Sequence, residues 1–150
     1  MKLKIPPGVV FLSFGLLMYL LAEFLPVGYF DFFGRHHLMI VLAISAILIA
    51  GVALFQFYAA NTTIDPTQPG KTKKLVTNGI YAYTRNPMYL AMLLLLLAWG
   101  VWLGNAFNTL LAAGFVAYMN RFQIEPEEQA LTKIFNKDYK QYGLLVRRWF

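Results

Sequence analysis

The stretch "MYLAMLLLLLAWGVWLGNAFNTLLAAGFVAYMNRF", Met88 to Phe122, decides the fold. It is two apolar runs, Met88 to Leu103 and Ala106 to Phe122, separated only by Gly104 and Asn105. Inside lipid every backbone N–H and C=O must be satisfied within the chain, so apolar runs of this length read as helices. A span takes roughly 20 residues, so each run borrows flanking residues. The two-residue break makes them a tight helical hairpin.

Two further runs lie upstream. Leu38 to Ala60 contains one serine and one glutamine and is long enough to span by itself. Val9 to Leu25 is apolar apart from Ser13 and Glu23. The whole chain agrees: 59% of its 150 residues are hydrophobic, 17% aromatic and only 13% charged, against about 25% charged in soluble domains. The sequence thus reads as one domain, 1–150, an all-α integral membrane protein with about four transmembrane helices at 9–25, 38–60, 88–103 and 106–122. Lys2 and Lys4 before the first run imitate a secretory leader. No small-x-small cleavage site follows, so the segment is expected to stay as a span.

Charge fixes the expected orientation. With both termini on one side, 12 of the 13 Lys and Arg fall on that side and only Arg35 on the other. Positive charge collects in the cytoplasm. Both termini, the loop 61–87 and the tail 121–150 are therefore expected there, in the inner membrane if the owner is bacterial. The net charge of +6 is then a topology signal, and no nucleic-acid partner is expected. Oligomeric state is not legible.

The polar residues fall into those two cytoplasmic blocks. In the loop, Asn78-Gly79 is a turn signal and Pro87 suits the first turn of the third span. In the tail, Pro126 with Glu127 and Glu128 marks a helix start. Leu131, Ile134, Phe135, Tyr139 and Tyr142 then form one apolar stripe, which suits an amphipathic helix on the membrane surface, ended by Gly143. Arg147, Arg148 and Trp149 read as an interfacial anchor.

Several chemistries are excluded. There is no cysteine and no histidine in the cytoplasmic blocks, so nucleophile–base triads fail. His36 and His37 have no carboxylate cluster beside them, so no metal site is expected. What remains is Lys73, Lys74, Tyr81, Tyr83, Arg85, Asn86, Tyr89, Arg121, Gln123, Glu127 and Glu128. Carboxylates can face an ammonium or sulfonium, tyrosines can stack on a base or a cation, and Arg or Lys can hold a carboxylate. That set suits a zwitterionic ligand. Each residue also has a plain structural use, as topology charge, belt aromatic or helix-dipole acid.

The order of these residues adds a resemblance. "PTQPGKTKKLVTNGIYAYTRNPMYLAM", followed after one hairpin by "RFQIEPEEQALTKIFNKDYKQYGLLVRRW", resembles the isoprenylcysteine carboxyl methyltransferase family. It is most similar to the short bacterial members, and more distantly to phospholipid methyltransferases. The resemblance implies a membrane methyltransferase using S-adenosyl-L-methionine, releasing S-adenosyl-L-homocysteine, with a lipophilic substrate entering from the bilayer and O-methylated. The alternatives are N-methylation of a phospholipid or lipid amine, or a non-catalytic protein that keeps the fold. Carried over, Lys73, Lys74, Leu75 and Val76 match the stretch before the GxY of the cofactor loop. Tyr81, Arg85, Asn86, Pro87, Met88 and Tyr89 match the cofactor-contacting RxPxY region. Glu127, with Glu128 as the adjacent choice, matches the tail glutamate. Glu127 and Arg121 are the residues expected nearest the chemistry. The chain departs from the family pattern at Asn86, where eukaryotic members have His, at Asn136, in place of the Gly of FG, and at Gln123, in place of an Arg proposed to meet the substrate carboxylate.

Overall fold

The structure, a computed structural model, describes residues 5–25, 27–60 and 74–150. Among these residues the chain is helical, with no strand. Five α-helices follow in order: α1 (Pro7–Phe24), α2 (Arg35–Ala59), α3 (Pro87–Leu103), α4 (Asn108–Met119) and α5 (Glu125–Leu145). A 3₁₀ turn, Gly79–Ala82, precedes α3, and a π-helical turn, Asn120–Ile124, joins α4 to α5. Two of the helices, α1 and α2, are long and apolar enough to cross a membrane, and α3 is a shorter apolar helix of 17 residues.

Helix α3 is central. It packs along α2 on one side and against α1 and α4 on the other. Met18, Leu96, Phe115, Met119 and Ile124 close the α1–α3–α4 core, and Phe14 meets Phe115 edge to face at 5.7 Å. Ala46 and Ala53 are the buried positions of α2; small side chains there let α2 approach α3 closely. The outward faces of α1 and α2 remain apolar and exposed, from Leu12 and Leu16 to Ile47, Leu48 and Phe55. That is the surface a bilayer accepts and water does not.

The hairpin turn, residues 104–107, is two residues longer than the sequence suggests. Gly104 ends α3 in the left-handed region, at φ 69, which a glycine adopts freely. α4 begins at Asn108, not 106, because Asn105 is drawn into the opposite loop. Its side chain donates to Leu25 O at 3.0 Å and accepts the Phe107 N–H at 3.0 Å. Phe30 N–H donates to Gly104 O at 2.8 Å.

The tail departs furthest from expectation. Pro126 lies in the first turn of α5 together with Glu127 and Glu128, as the sequence suggests. The chain turns from α4 into α5 without a break, through the π-helical turn. Pro126 has no N–H to donate four residues back and its ring crowds that carbonyl; the wider turn just before it relieves both problems. The stripe of α5 faces the protein, not a membrane surface. Tyr139 and Tyr142 are buried with Ala53, Val76, Tyr81 and Val146, and Leu131 and Phe135 pack on the same cluster; Ile134 of the stripe stays exposed. Gly143 does not end α5, which runs on to Leu145. The break falls earlier, at Asn136, with φ 46 and ψ −112. This is the position where the resembled pattern has Gly, and asparagine is among the few other residues that tolerate positive φ.

A candidate functional site at the start of the third helix

The site forms where the start of α3, the start of α5 and the C-terminal strap meet. Pro87 opens α3 at its first turn, where the missing N–H has no partner to lose. This fixes Tyr89 on the inner face, 5% exposed. Across from it, the π-helical turn sets the rotation of α5 so that Glu127 meets Tyr89. The Tyr89 hydroxyl donates to Glu127 Oε1. Burial pushes the Glu127 carboxyl up to about 8; the Tyr89 hydrogen bond pulls it down, and the neighbouring Glu128 pushes it further up.

Glu128 has the opposite surroundings. Arg85 reaches it at 2.9 Å, and Arg148 grips it through Nε at 3.1 Å and Nη2 at 2.8 Å. The hydrogen bond to Glu128 raises the Arg148 pKa above its ordinary value, against burial, which lowers it. Two adjacent glutamates therefore do different work. One is held by two guanidiniums; the other has only a phenol.

The strap closes this arrangement. Arg85 N–H donates to Arg147 O at 3.0 Å. Thr84 Oγ1 and Asn86 Nδ2 both donate to Arg148 O, at 3.1 and 3.0 Å. Trp149 Nε1 donates to Asn120 Oδ1 at 3.0 Å, back at the π-helical turn. Arg147–Trp149 is thus also an internal strap: Arg148 and Trp149 find partners inside the fold, while Arg147 stays exposed. Asn86, matched to a cofactor contact, spends its side-chain N–H₂ on the strap.

Tyrosines surround the pair. The Tyr142 hydroxyl donates to Tyr81 O at 2.5 Å. Burial, then the nearby Tyr142, raises the Tyr81 phenol above its ordinary range, and Tyr139 is pushed up to about 12, by burial first and then by Glu128. Two of the buried donors without a hydrogen-bond partner among the described residues lie here, the Tyr81 hydroxyl and Arg85 Nε; Arg35 Nε and Asn108 Nδ2 are the others. Unpaired buried donors are rare in folded proteins, and these two lie on the same short segment before α3.

The sequence-matched residues thus divide. Tyr81, Arg85, Tyr89, Glu127 and Glu128 come together. Val76 is buried in the same cluster, with Leu75 and Met88 packed against it, and Pro87 is buried at the start of α3. Lys74 is exposed at the edge of the described chain, and Lys73 lies outside the described residues. Arg121 is not brought in: its side chain is 73% exposed and pairs with Glu125 at 3.2 Å. Tyr83 also points out. Gln123 is buried, donates to Ile5 O at 2.5 Å, and has no donor for its Oε1. Sequence reading missed Gln56, Thr84 and Asn120 because each acts on chain far away in sequence. No group of His, Asp and Glu among the described residues could hold a metal ion.

The profile of the phospholipid methyltransferase family matches residues 32–138. The chain belongs to the phospholipid methyltransferase family. It is 33% identical over 90 residues to the protein-S-isoprenylcysteine O-methyltransferase of Schizosaccharomyces pombe, a match covering 60% of this chain and 38% of that enzyme. It is 47% identical over 62 residues to an uncharacterized protein of Haemophilus influenzae, covering 41% of this chain and 98% of that protein. No solved structure matches the chain significantly.

Proposed function

We propose that this protein is a membrane methyltransferase that uses S-adenosyl-L-methionine to methylate a lipophilic acceptor. The observation that carries it is the half-built ligand site: a carboxyl raised to about 8 under Tyr89, beside the unpartnered Tyr81 hydroxyl and Arg85 Nε. These groups fit a zwitterionic cation. Glu127 would face the positive charge and ionise on meeting it. Arg85 Nε and the Tyr81 hydroxyl would donate to the ligand's carboxylate or hydroxyls. S-adenosyl-L-methionine supplies an activated methyl group on a sulfonium. The chain's own contribution is position and field, which act strongly in a site of low dielectric. Glu128, fixed between Arg85 and Arg148, keeps Arg85 in place and ties the strap over the site.

The topology belongs to the same proposal: four spans, both termini and the site in the cytoplasm, in the inner membrane of a bacterial owner. The 12-to-1 distribution of Lys and Arg supports it. Because the chain has no cysteine, single cysteines placed at Phe33 and at Leu145 can be labelled from each side of sealed vesicles. Labelling of both from the same side would refute the arrangement.

A second reading concerns the acceptor. A carboxylate acceptor calls for a cation, yet Arg121 faces outward with Glu125 and Gln123 has given its N–H₂ group to Ile5. The free Gln123 Oε1 suits a group that brings its own proton. This favours a lipid amine over a carboxyl group.

The test is saturable binding of S-adenosyl-L-methionine to the detergent-purified protein, repeated with Glu127→Ala and Tyr81→Phe. Wild type is expected to bind and both variants to bind about tenfold or more weakly, the loss for a buried hydrogen bond to a charged ligand. Absence of wild-type binding overturns the proposal; equal binding by both variants overturns the site. Labelled-methyl transfer into extracted lipids then separates acceptors, since mild base releases a methyl ester and leaves an N-methyl group in place.

A further inference from the structure

Gln56 sits in the last turns of α2, the longest apolar helix, where a lone glutamine reads as an interfacial residue. Its amide is instead used at both ends on one turn of distant chain. Nε2 donates to Asn78 O at 3.3 Å and Oε1 accepts the Ile80 N–H at 3.1 Å. Gly79, between those two residues, lies flat against the amide. A Cβ there would stand 1.6 Å from Nε2, and its φ of +60 already excludes most side chains. The next residue on α2, Phe57, meets the Tyr81 ring edge to face at 5.2 Å.

That turn leads directly into the site. Tyr81 N–H donates to Asn78 O at 3.2 Å and Thr84 N–H to Ile80 O at 3.2 Å, so the clamped residues also set the backbone that carries Tyr81 and Arg85. We propose that Gln56 is a positioning residue for the methyl-donor site, a clamp by which the end of α2 fixes the Asn78–Ile80 turn and, through it, the Tyr81 hydroxyl and Arg85. The proposal rests on the binding function proposed above. Gln56 touches no reacting atom; it acts through the turn.

The experiment uses the detergent-purified full chain, with binding of S-adenosyl-L-methionine measured well below each variant's unfolding midpoint. Gln56→Ala is expected to weaken binding about tenfold, the combined effect of two net hydrogen bonds on loop position. Gln56→Glu keeps the acceptor for Ile80 and loses the donor to Asn78, and is expected to fall between wild type and Gln56→Ala. Gly79→Ala is expected to weaken binding too, and the Gln56→Ala/Gly79→Ala double variant to bind no more weakly than Gly79→Ala, because the clash disappears with the amide. Unchanged affinity in Gln56→Ala with a lowered unfolding midpoint shows a merely structural contact and overturns the proposal, as does additivity in the double variant. If wild type binds no methyl donor, the proposed function fails and the clamp is read by itself from tryptic cleavage after Lys74. Faster cleavage in Gln56→Ala supports the clamp; an unchanged rate overturns it.

Discussion

The two buried clusters of this protein are built on different physics. The α1–α3–α4 core is aliphatic and aromatic carbon: Met18, Leu96, Phe115 and Met119 fill it. Its stability comes from shape, because lipid is as apolar as leucine and gives helices little reason to associate beyond close packing. The cluster beneath it is lined by Tyr81, Tyr139 and Tyr142, with Val76 and Val146, and its rim carries Glu127, Glu128, Arg85 and Arg148. It holds hydroxyls and charges that must find partners, and two of its donors have none among the described residues. The first cluster is held by apolar packing, although Asn108 of α4 is buried beside it with its amide unpartnered; the second is the one that the proposed function completes with a ligand.

The sharpest way to break that contrast is to damage each cluster and ask which property fails. Phe115→Ala empties a fully buried site and is expected to cost about 3–5 kcal/mol of stability, read as a lowered thermal midpoint. The fraction still folded should bind S-adenosyl-L-methionine with unchanged affinity. A large loss of affinity without a loss of stability would show that the two clusters are not separable.

Glu128→Ala should give the next largest effect. It strands Arg85, whose side chain is 14% exposed, and Arg148, at 34%. Breaking a fully buried pair costs about 3–5 kcal/mol. Here about 2 kcal/mol is expected, since Arg148 reaches water. The strap should loosen, seen as faster proteolytic trimming after Arg147 and Arg148. Trimming at the wild-type rate would mean that the backbone hydrogen bonds of Thr84, Arg85 and Asn86 hold the strap without the ion pairs.

The smallest effect is a pH dependence. Glu127 has its carboxyl raised to about 8 from an ordinary value of 4.5. A raised carboxyl stabilises the fold below the unfolded value, and that contribution is lost as pH climbs from 4.5 toward 8. Binding of a cation has the opposite sign, because it needs the carboxylate. Affinity for S-adenosyl-L-methionine is expected to rise between about pH 6 and 8 and then level off, with Glu127→Gln showing a flatter profile. A rise of equal size in Glu127→Gln would assign the titration to another group.

Much of the local structure was legible from single residues. Pro87 marks the start of α3 because a residue without an N–H fits a helix's first turn. Gly104 marks its end, and Asn78-Gly79 marks the turn before it. Asn136 stands at a position of positive φ, as a substituted glycine should. The partners of the tail were not legible. Tyr139 and Tyr142 have the spacing of a stripe, but spacing does not say whether the stripe meets lipid or protein. Arg121 was expected near the chemistry, and the chain's rotation carries it out to Glu125.

The sequence by itself determined that this is a helical membrane chain with a tight hairpin and a polar motif on each side of it. Those properties depend on neighbours within one or two turns, where periodicity and the habits of Pro, Gly and Asn decide the outcome. Only the tertiary structure decided that Glu127 pairs with Tyr89, that Glu128 holds two arginines, and that Gln56 of α2 grips the turn before Tyr81. The physical reason lies largely in the π-helical turn. One extra residue in a turn rotates everything after it by about 100°. The inward face of α5 therefore depends on a distortion that hydrophobic spacing does not encode, and the pairings of Gln56 depend on how closely α2 packs against α3.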